Sequence, residues 1–368
     1  MTTSTYLMPT YTRQKVIFKH GKGAKLWDEE GKEYLDAISG IAVTNLGHAH
    51  PEITRAITEQ ATLLLHTSNL YQIEWQEKLG ERLCQLAEME KAFFCNSGAE
   101  ANEAALKLAR LHAYKQQIED PKIIVMHNSF HGRTLATLAA SGNPAIHEGF
   151  SPLMPGFIHL PYNDLTAIDE IATKEPNIVA VLIEPVQGEG GIHVASKMYF
   201  KALRARCDQH NWLLMVDEVQ TGMGRTGSWF GHQHADIKPD VMTLAKGLGN
   251  GLPIGACLAR GQAAQLFCAG SHASTFGGNP LACRVSCTVL DIMDRIDAPK
   301  QAKQLGNQLL EQLHLALAGH PNVISIRGIG LMIGIEMAHP CTDLVATALH
   351  QERLLITVTR QKVIRLLP

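Results

Sequence analysis

The chain has 368 residues, of which 45% are hydrophobic and 18% charged, and its net charge is −2. At roughly 100–200 residues per domain that length suggests two domains, or one large domain with a satellite, and the composition is that of a globular enzyme with a large core. So small a net charge gives no reason to expect nucleic acid or an anionic membrane as partner, and no apolar run reaches the ~20 residues of a membrane span.

Residues 1–11 lack a basic stretch followed by an apolar one, so no secretory leader is expected. Segments 25–27 and 34–36 flank the turn Asp28-Glu29-Glu30-Gly31 and predict a hairpin. Helical spacing follows over 99–116, with Ala101, Ala104, Ala105, Leu108 and Leu111 on one face, and again over 198–210. Short apolar runs at 122–126, 178–183, 212–216 and 241–244 read as buried strands. Strands alternating with helices predict an α/β core with a parallel sheet. From about residue 285 the pattern changes to one long helical stretch, 285–318, and two strands, 323–327 and 331–337, which reads as a smaller α+β unit. The eight cysteines include no CxxC pair, and Cys283 and Cys287, one helical turn apart, have no second pair or nearby histidine. Reduced, mostly buried thiols in a cytoplasmic protein are therefore expected, and no metal site.

Ligands of α/β sheets gather at the carboxyl ends of strands. Four polar clusters fall at such ends: Phe130 and Arg133, Glu184 and Glu189, Asp217, and Lys246. Asn96-Ser97-Gly98-Ala99-Glu100 opens a helix; Ser97 and Glu100 fit a capping box, and the same helix start suits a phosphate. Lys246 sits in Ala245-Lys246-Gly247-Leu248-Gly249-Asn250-Gly251, which is not a Walker A loop. It is either a plain exposed lysine or a partly buried amine of lowered pKa that attacks a carbonyl. Asp217 is either the cap of a following helix or a functional carboxylate, as metal ligand, base or partner of a buried cation; beside a pyridine ring it would keep the nitrogen protonated. Gly328-Ile329-Gly330 with Gly334 has the wrong spacing for a dinucleotide fingerprint.

Taken in order, the motifs resemble those of the class III aminotransferases among the fold-type I pyridoxal 5'-phosphate (PLP) enzymes, and within that family the acetylornithine branch. They are DEEGKEYLDAISGIAVTNLGHAHP (28–51), NSGAEANEAALKLAR (96–110), SFHGRT (129–134), EPVQGEGG (184–191), DEVQTGMGRTG (217–227), AKGLGNGLPIGA (245–256) and STFGGNPLA (274–282). The resemblance runs from Tyr11 to Pro368. It implies a large domain over 46–284 holding a mostly parallel seven-stranded sheet, and a small α+β domain from 1–45 and 285–368. Family members continue for a further strand and a closing helix beyond Val363-Ile364-Arg365-Leu366-Leu367-Pro368, so it also implies a small domain left short.

The resemblance assigns roles residue by residue. Lys246 would carry PLP as a Schiff base and shuttle the substrate proton, and Asp217 would pair with the ring nitrogen. Val219 and Phe130 would pack on the two ring faces, and Gln220 would approach the ring hydroxyl. Ser97, Gly98 and Ala99 would bind the phosphate, joined by Thr275 from a partner subunit, so a homodimer is implied. Ser274 and Arg133 would contact substrate, Arg133 as a carboxylate fork. Glu189 and Arg365 would form a pair that masks the arginine for one substrate and frees it for the other. The implied reaction transfers the δ-amine of N2-acetylornithine to 2-oxoglutarate by a ping-pong route, giving N-acetylglutamate 5-semialdehyde and glutamate, a step of arginine biosynthesis.

Ornithine aminotransferases carry a tyrosine where this chain has Ile41, and an isoleucine cannot hydrogen-bond a free α-ammonium. Ile41 therefore favours an acylated ornithine, unless it is simply packing. Succinylornithine, succinyl-diaminopimelate, ornithine and 4-aminobutyrate stay open as amino donors. A mutase or decarboxylase of the same fold, or a non-catalytic relative, is disfavoured by the joint presence of Lys246, Asp217, Phe130, Arg133 and Thr275.

Overall fold

The computed structural model describes residues 6–368. A seven-stranded sheet forms its centre, in the order Lys91–Cys95, Gly255–Ala259, Val241–Leu244, Leu213–Asp217, Ile178–Ile183, Lys122–Met126, Phe157–Leu160. The last five strands are mutually parallel, whereas Gly255–Ala259 runs antiparallel to both its neighbours. Its central strands are apolar throughout because helices cover both faces; all six residues of Ile178–Ile183 are buried.

The expected strand at 212–216 lies one residue later, at Leu213–Asp217. Asn211 turns the preceding helix off with φ +57°, and the Trp212 N–H goes to the Cys207 carbonyl, closing that helix. Asp217 thus ends the strand rather than following it, and its backbone is held in register with Thr243.

The single long helix expected over 285–318 is two helices, Pro280–Arg295 and Ala298–Ala316. Asp297 adopts φ +49° and Pro299 follows, so the chain cannot continue one helix through this point. The expected domain boundary between 284 and 285 falls inside the first of these helices. Cys283, Val285, Val289 and Leu290 of that helix share a core cluster with Leu79, Leu83, Leu244 and Leu258. The helix therefore packs with the large sheet, and it ends before Asp297.

Besides a two-stranded pair, Val186–Gln187 with His193–Val194, two four-stranded sheets flank the centre. Val323–Ile329, Met332–Met337, Val363–Leu366 and Thr357–Thr359 form an antiparallel one. The hairpin Lys25–Asp28 with Glu33–Asp36 belongs to the other, in which Glu33–Asp36 also pairs in parallel with Leu354–Leu355. Segments from the two ends of the chain thus share one sheet. No helix among the described residues is long and apolar enough to cross a membrane.

Candidate active site

Because its strands run the same way, the carboxyl ends of Ile178–Ile183, Leu213–Asp217 and Val241–Leu244 open on one edge of the large sheet. A cavity of about 420 Å³ lies there, bounded by Ser97, Phe130, Asp217, Val219, Gln220 and Lys246. Gly98, Ala99, Arg133, Glu184 and Glu189 also reach it.

Lys246 follows its strand with φ +45°, a left-handed conformation that a lysine adopts only when its surroundings impose it. It keeps some accessible surface because it faces the cavity, while protein surrounds it elsewhere. This desolvation lowers its pKa to about 8, against the opposing pull of Glu189 and with help from Arg365. Of the two readings of this lysine, the enclosed amine describes the structure.

Asp217 is 4% exposed. Its Oδ1 accepts from the Val219 N–H at 3.0 Å, and its Oδ2 accepts from Asn102 Nδ2 and from His131 Nδ1, both at 2.8 Å. Glu184 is a different kind of acid. It accepts the Phe130 N–H at 3.2 Å, and burial, reinforced by the nearby Asp217 charge, pushes its carboxyl well above the usual range. Glu189 is pushed up by burial but pulled further down by the charge and hydrogen bond of Arg365, so it is ionised. Arg365 Nη1 lies 2.6 Å from Glu189 Oε1, and Arg365 Nε donates to Thr357 Oγ1 at 3.2 Å.

Ser97 caps the helix Gly98–Lys115 by accepting the Glu100 N–H at 3.2 Å. The reciprocal half of the expected capping box differs: the Glu100 carboxylate takes the N–H of Asn96, one residue before the cap, at 2.8 Å. Arg133 is exposed at the cavity mouth, with Cζ 5.7 Å from the Phe130 ring centre.

Four expected site residues do not border this cavity within the one chain. Ser274 touches its edge by accepting from Asn96 Nδ2 at 3.2 Å. It shares with the exposed Thr275 a neighbouring open groove of about 880 Å³. Arg365 connects to the cavity through its ion pair with Glu189. Ile41 is 38% exposed in the single chain. It lies in a run, Ser39–Ala42, in which every φ is positive, an arrangement that costs a β-branched residue about 1–2 kcal/mol.

Sequence reasoning missed Asn102, His131, Thr243 and Thr357. Asn102 had a signal, as a polar residue within the apolar face of Ala101, Ala104, Ala105 and Leu108. His131 follows Phe130 directly, with nothing in its spacing to tie it to Asp217, 86 positions on.

The residues present fit PLP. A side chain at Gly98 would come within 2.7 Å of Val219, so only glycine lets the helix start approach this closely. Gln220 Oε1 is buried without a partner in the protein, which leaves it for a ligand hydroxyl. An enclosed amine titrating near 8, a buried carboxylate held by three N–H groups and a helix N-terminus complete the donor set. This fold and this donor set define a lysine-based PLP enzyme.

Comparison with known proteins narrows the class. The family model described as aminotransferase class-III matches residues 6–368. An acetylornithine aminotransferase of Nitrosomonas europaea is 54% identical over 99% of this chain and 92% of its own length. One from Aquifex aeolicus is 47% identical over 99% of this chain and 94% of its own length. Among solved structures, the ornithine aminotransferase of Toxoplasma gondii superposes with a TM-score of 0.94 at 35% identity, covering 99% of this chain and 87% of that one. The acetylornithine aminotransferase of Elizabethkingia anophelis gives 0.88 at 35% identity, covering 99% and 91%. The chain belongs to the class-III aminotransferases, and it is a PLP-dependent, fold-type I enzyme acting on small molecules.

Proposed function

We propose that this aminotransferase moves the δ-amino group of N2-acetylornithine to 2-oxoglutarate, giving N-acetylglutamate 5-semialdehyde and glutamate, and that it works as a cytoplasmic homodimer. The observation that carries the chemistry is the Lys246 amine, enclosed beside Asp217 and Glu189 with its pKa lowered to about 8. The names of the relatives at 47–54% identity support the substrate, as does Ile41, which offers no hydrogen bond to a free α-ammonium.

PLP, when bound, supplies an aldehyde for the amino group and a ring that takes up the electrons released at the substrate carbon. The chain's own residues do the rest. Asp217, fixed by the N–H groups of Val219, Asn102 and His131, is the partner of the ring nitrogen. Neutral Lys246 accepts the proton from the amine-bearing carbon and returns it one atom away. Phe130 and Val219 confine the ring, Gln220 receives its hydroxyl, and Ser97, Gly98 and Ala99 offer backbone N–H groups to the phosphate. Arg133 grips a substrate carboxylate. Glu189 neutralises Arg365 while the donor is bound and releases it for the second carboxylate of glutamate.

Two features support the homodimer. Thr275 is exposed and outside the single-chain cavity, and the groove it shares lies beside the exposed Leu70, Tyr71 and Phe276. The described cysteines are free, as the cytoplasm would keep them.

The test is an assay of the purified protein with 2-oxoglutarate against N-acetylornithine, N-succinylornithine, N-succinyl-diaminopimelate, ornithine and 4-aminobutyrate. The highest kcat/KM is expected for N-acetylornithine. A preference for ornithine or 4-aminobutyrate overturns the substrate. PLP that still becomes covalently fixed to Lys246→Ala on borohydride reduction overturns the role of the lysine.

A further inference from the structure

We infer that Arg327 is a positioning residue for donor and acceptor choice: it clamps the turn that carries Glu189, so that the glutamate leaves Arg365 by turning its side chain while its backbone stays in place. The inference rests on the reading of Glu189 and Arg365 as a pair that closes for the acylated amine and opens for glutamate.

Glu189 lies in Gly188-Glu189-Gly190-Gly191, between the short strands Val186–Gln187 and His193–Val194. Three glycines in four residues leave this backbone free to follow its side chain unless something holds it. The antiparallel sheet does so. Arg327, Gly334 and Arg365 stand directly opposite one another on three adjacent strands. The two arginines therefore share one face of the sheet, with only a glycine between them. They grip the two ends of the turn. Arg365 Nη1 donates to the Gly188 carbonyl at 3.1 Å, beside its ion pair with Glu189. Arg327 Nη2 donates to the Gly191 carbonyl at 2.6 Å, and its Nε donates to the carbonyls of Gly191 and Ile192 at 3.0 and 3.1 Å.

The glycine between the arginines makes room for the turn. A Cβ at Gly334 would lie 3.0 Å from the Ile192 Cβ, so Ile192 packs against bare backbone there. Ile192 is fully buried with φ +58°, a conformation that an isoleucine keeps only where its surroundings impose it. Arg327 is itself anchored from the sheet side, where Nη1 donates to Ser325 Oγ at 2.8 Å and to the Glu336 carboxylate. None of the Arg327 bonds involves the Glu189 side chain. Glu189 can leave Arg365 without breaking any of them, and they stay to bring it back. A turn released from Arg327 lets the carboxylate drift, which leaves Arg365 open to a dicarboxylate at all times.

The test measures the two half-reactions of Arg327→Met separately. The kcat/KM ratio between N-acetylornithine and glutamate is expected to move toward glutamate by roughly fivefold. Arg327→Lys, whose ammonium can still donate to a carbonyl of the turn, should bring the ratio to within about twofold of wild type. In the double variant Arg327→Met/Glu189→Ala the ratio should equal that of Glu189→Ala alone, because no carboxylate is left to position. Calorimetric titration of the holoenzyme with glutarate, an unreactive dicarboxylate, should show tighter binding in Arg327→Met than in wild type. An equal fall in both half-reactions, unchanged glutarate binding, a lysine variant no better than methionine, or a further shift in the double variant overturns the inference. Should Arg327→Met not fold, Gly334→Ala pushes the turn off its seat through Ile192. The same shift toward glutamate is then expected, and an unchanged ratio overturns the inference. Glu189→Ala separates the two levels. If it leaves the ratio unchanged, the pairing of Glu189 with Arg365 has no part in substrate choice and the present inference falls with it. If it shifts the ratio while Arg327→Met does not, only the present inference fails.

Discussion

Arg365 and Glu189 form an ion pair 2.6 Å long in which the arginine is 2% exposed and the glutamate faces the active-site cavity. The pair joins the antiparallel sheet, through strand Val363–Leu366, to the carboxyl end of Ile178–Ile183. An arginine so enclosed cannot swing freely, because Thr357 and the Gly188 carbonyl also hold it. In the proposed switch Glu189 is the partner that swings away, its side chain being 37% exposed against 2% for the arginine. In Glu189→Ala the guanidinium is permanently exposed to the substrate. The ratio of kcat/KM between the acylated amine and glutamate should shift toward glutamate by roughly tenfold, about 1.4 kcal/mol. Separate measurement of the two half-reactions checks this, and an equal fall in both sinks the switch.

Burial makes Lys246 a pH-sensitive amine. Its pKa is lowered from 10.5 to about 8, so the amine is protonated and inert below that pH and free above it. The rate at which the cofactor-free protein takes up PLP, followed by absorbance, should rise with pH about a midpoint near 8 and then level. A midpoint near 10.5 would mean an exposed lysine. The sign for stability follows from the same shift. Between about 8 and 10.5 the unfolded chain binds more protons at this site than the folded one, so stability rises with pH across that window and the full penalty applies below it. Near neutral pH, cofactor-free Lys246→Met should therefore unfold at a higher denaturant concentration than wild type. The gain is of order 3 kcal/mol at most, at about 1.4 kcal/mol per pH unit.

Gly98 is tied to Val219 by close approach. A Cβ at Gly98 would lie 2.7 and 2.9 Å from the two Val219 methyls. Gly98→Ala should displace Val219 and weaken PLP binding, with overpacking of this kind costing about 1–3 kcal/mol. Adding Val219→Ala should recover part of the loss. Equilibrium dialysis of PLP against the single and double variants measures both, and an undiminished affinity in Gly98→Ala would falsify the contact.

Ile41 is the residue through which donor choice should change. Ile41→Tyr adds a hydroxyl where the chain has only methyl groups. A hydrogen bond to a charged group contributes about 1.5–3 kcal/mol, so the kcat/KM ratio of ornithine to N-acetylornithine should rise roughly tenfold or more. Because Ile41 has φ +68°, Ile41→Gly should stabilise the turn while leaving donor preference unchanged. A tyrosine variant with the wild-type ratio removes Ile41 from specificity.

Much of the fold is legible in periodicity. The strands Lys122–Met126, Ile178–Ile183 and Val241–Leu244 fall where apolar runs bounded by polar residues put them. The helix Gly98–Lys115 differs from expectation by one residue at each end. Local conformational exceptions are less legible. Asp297 ends a helix that hydrophobic spacing alone would have continued, and the left-handed Asn211 moves the strand after it one residue on.

The sequence by itself determined which residue types stand at the strand ends, and hence that a lysine, an aspartate, a phosphate-ready helix start and an aromatic ring face one edge of a parallel sheet. Those are properties of order along the chain, and strand direction carries them into space. Tertiary structure alone decided the electrostatic state of each group. Whether Lys246 is an ordinary ammonium or an amine titrating near 8 depends on how much water its neighbours exclude. Whether Glu184 or Glu189 is ionised depends on which of them lies beside Arg365. The hydrogen bonds of Asp217 to Asn102 and His131 cross 115 and 86 positions of chain, and no local pattern encodes contacts made at that range.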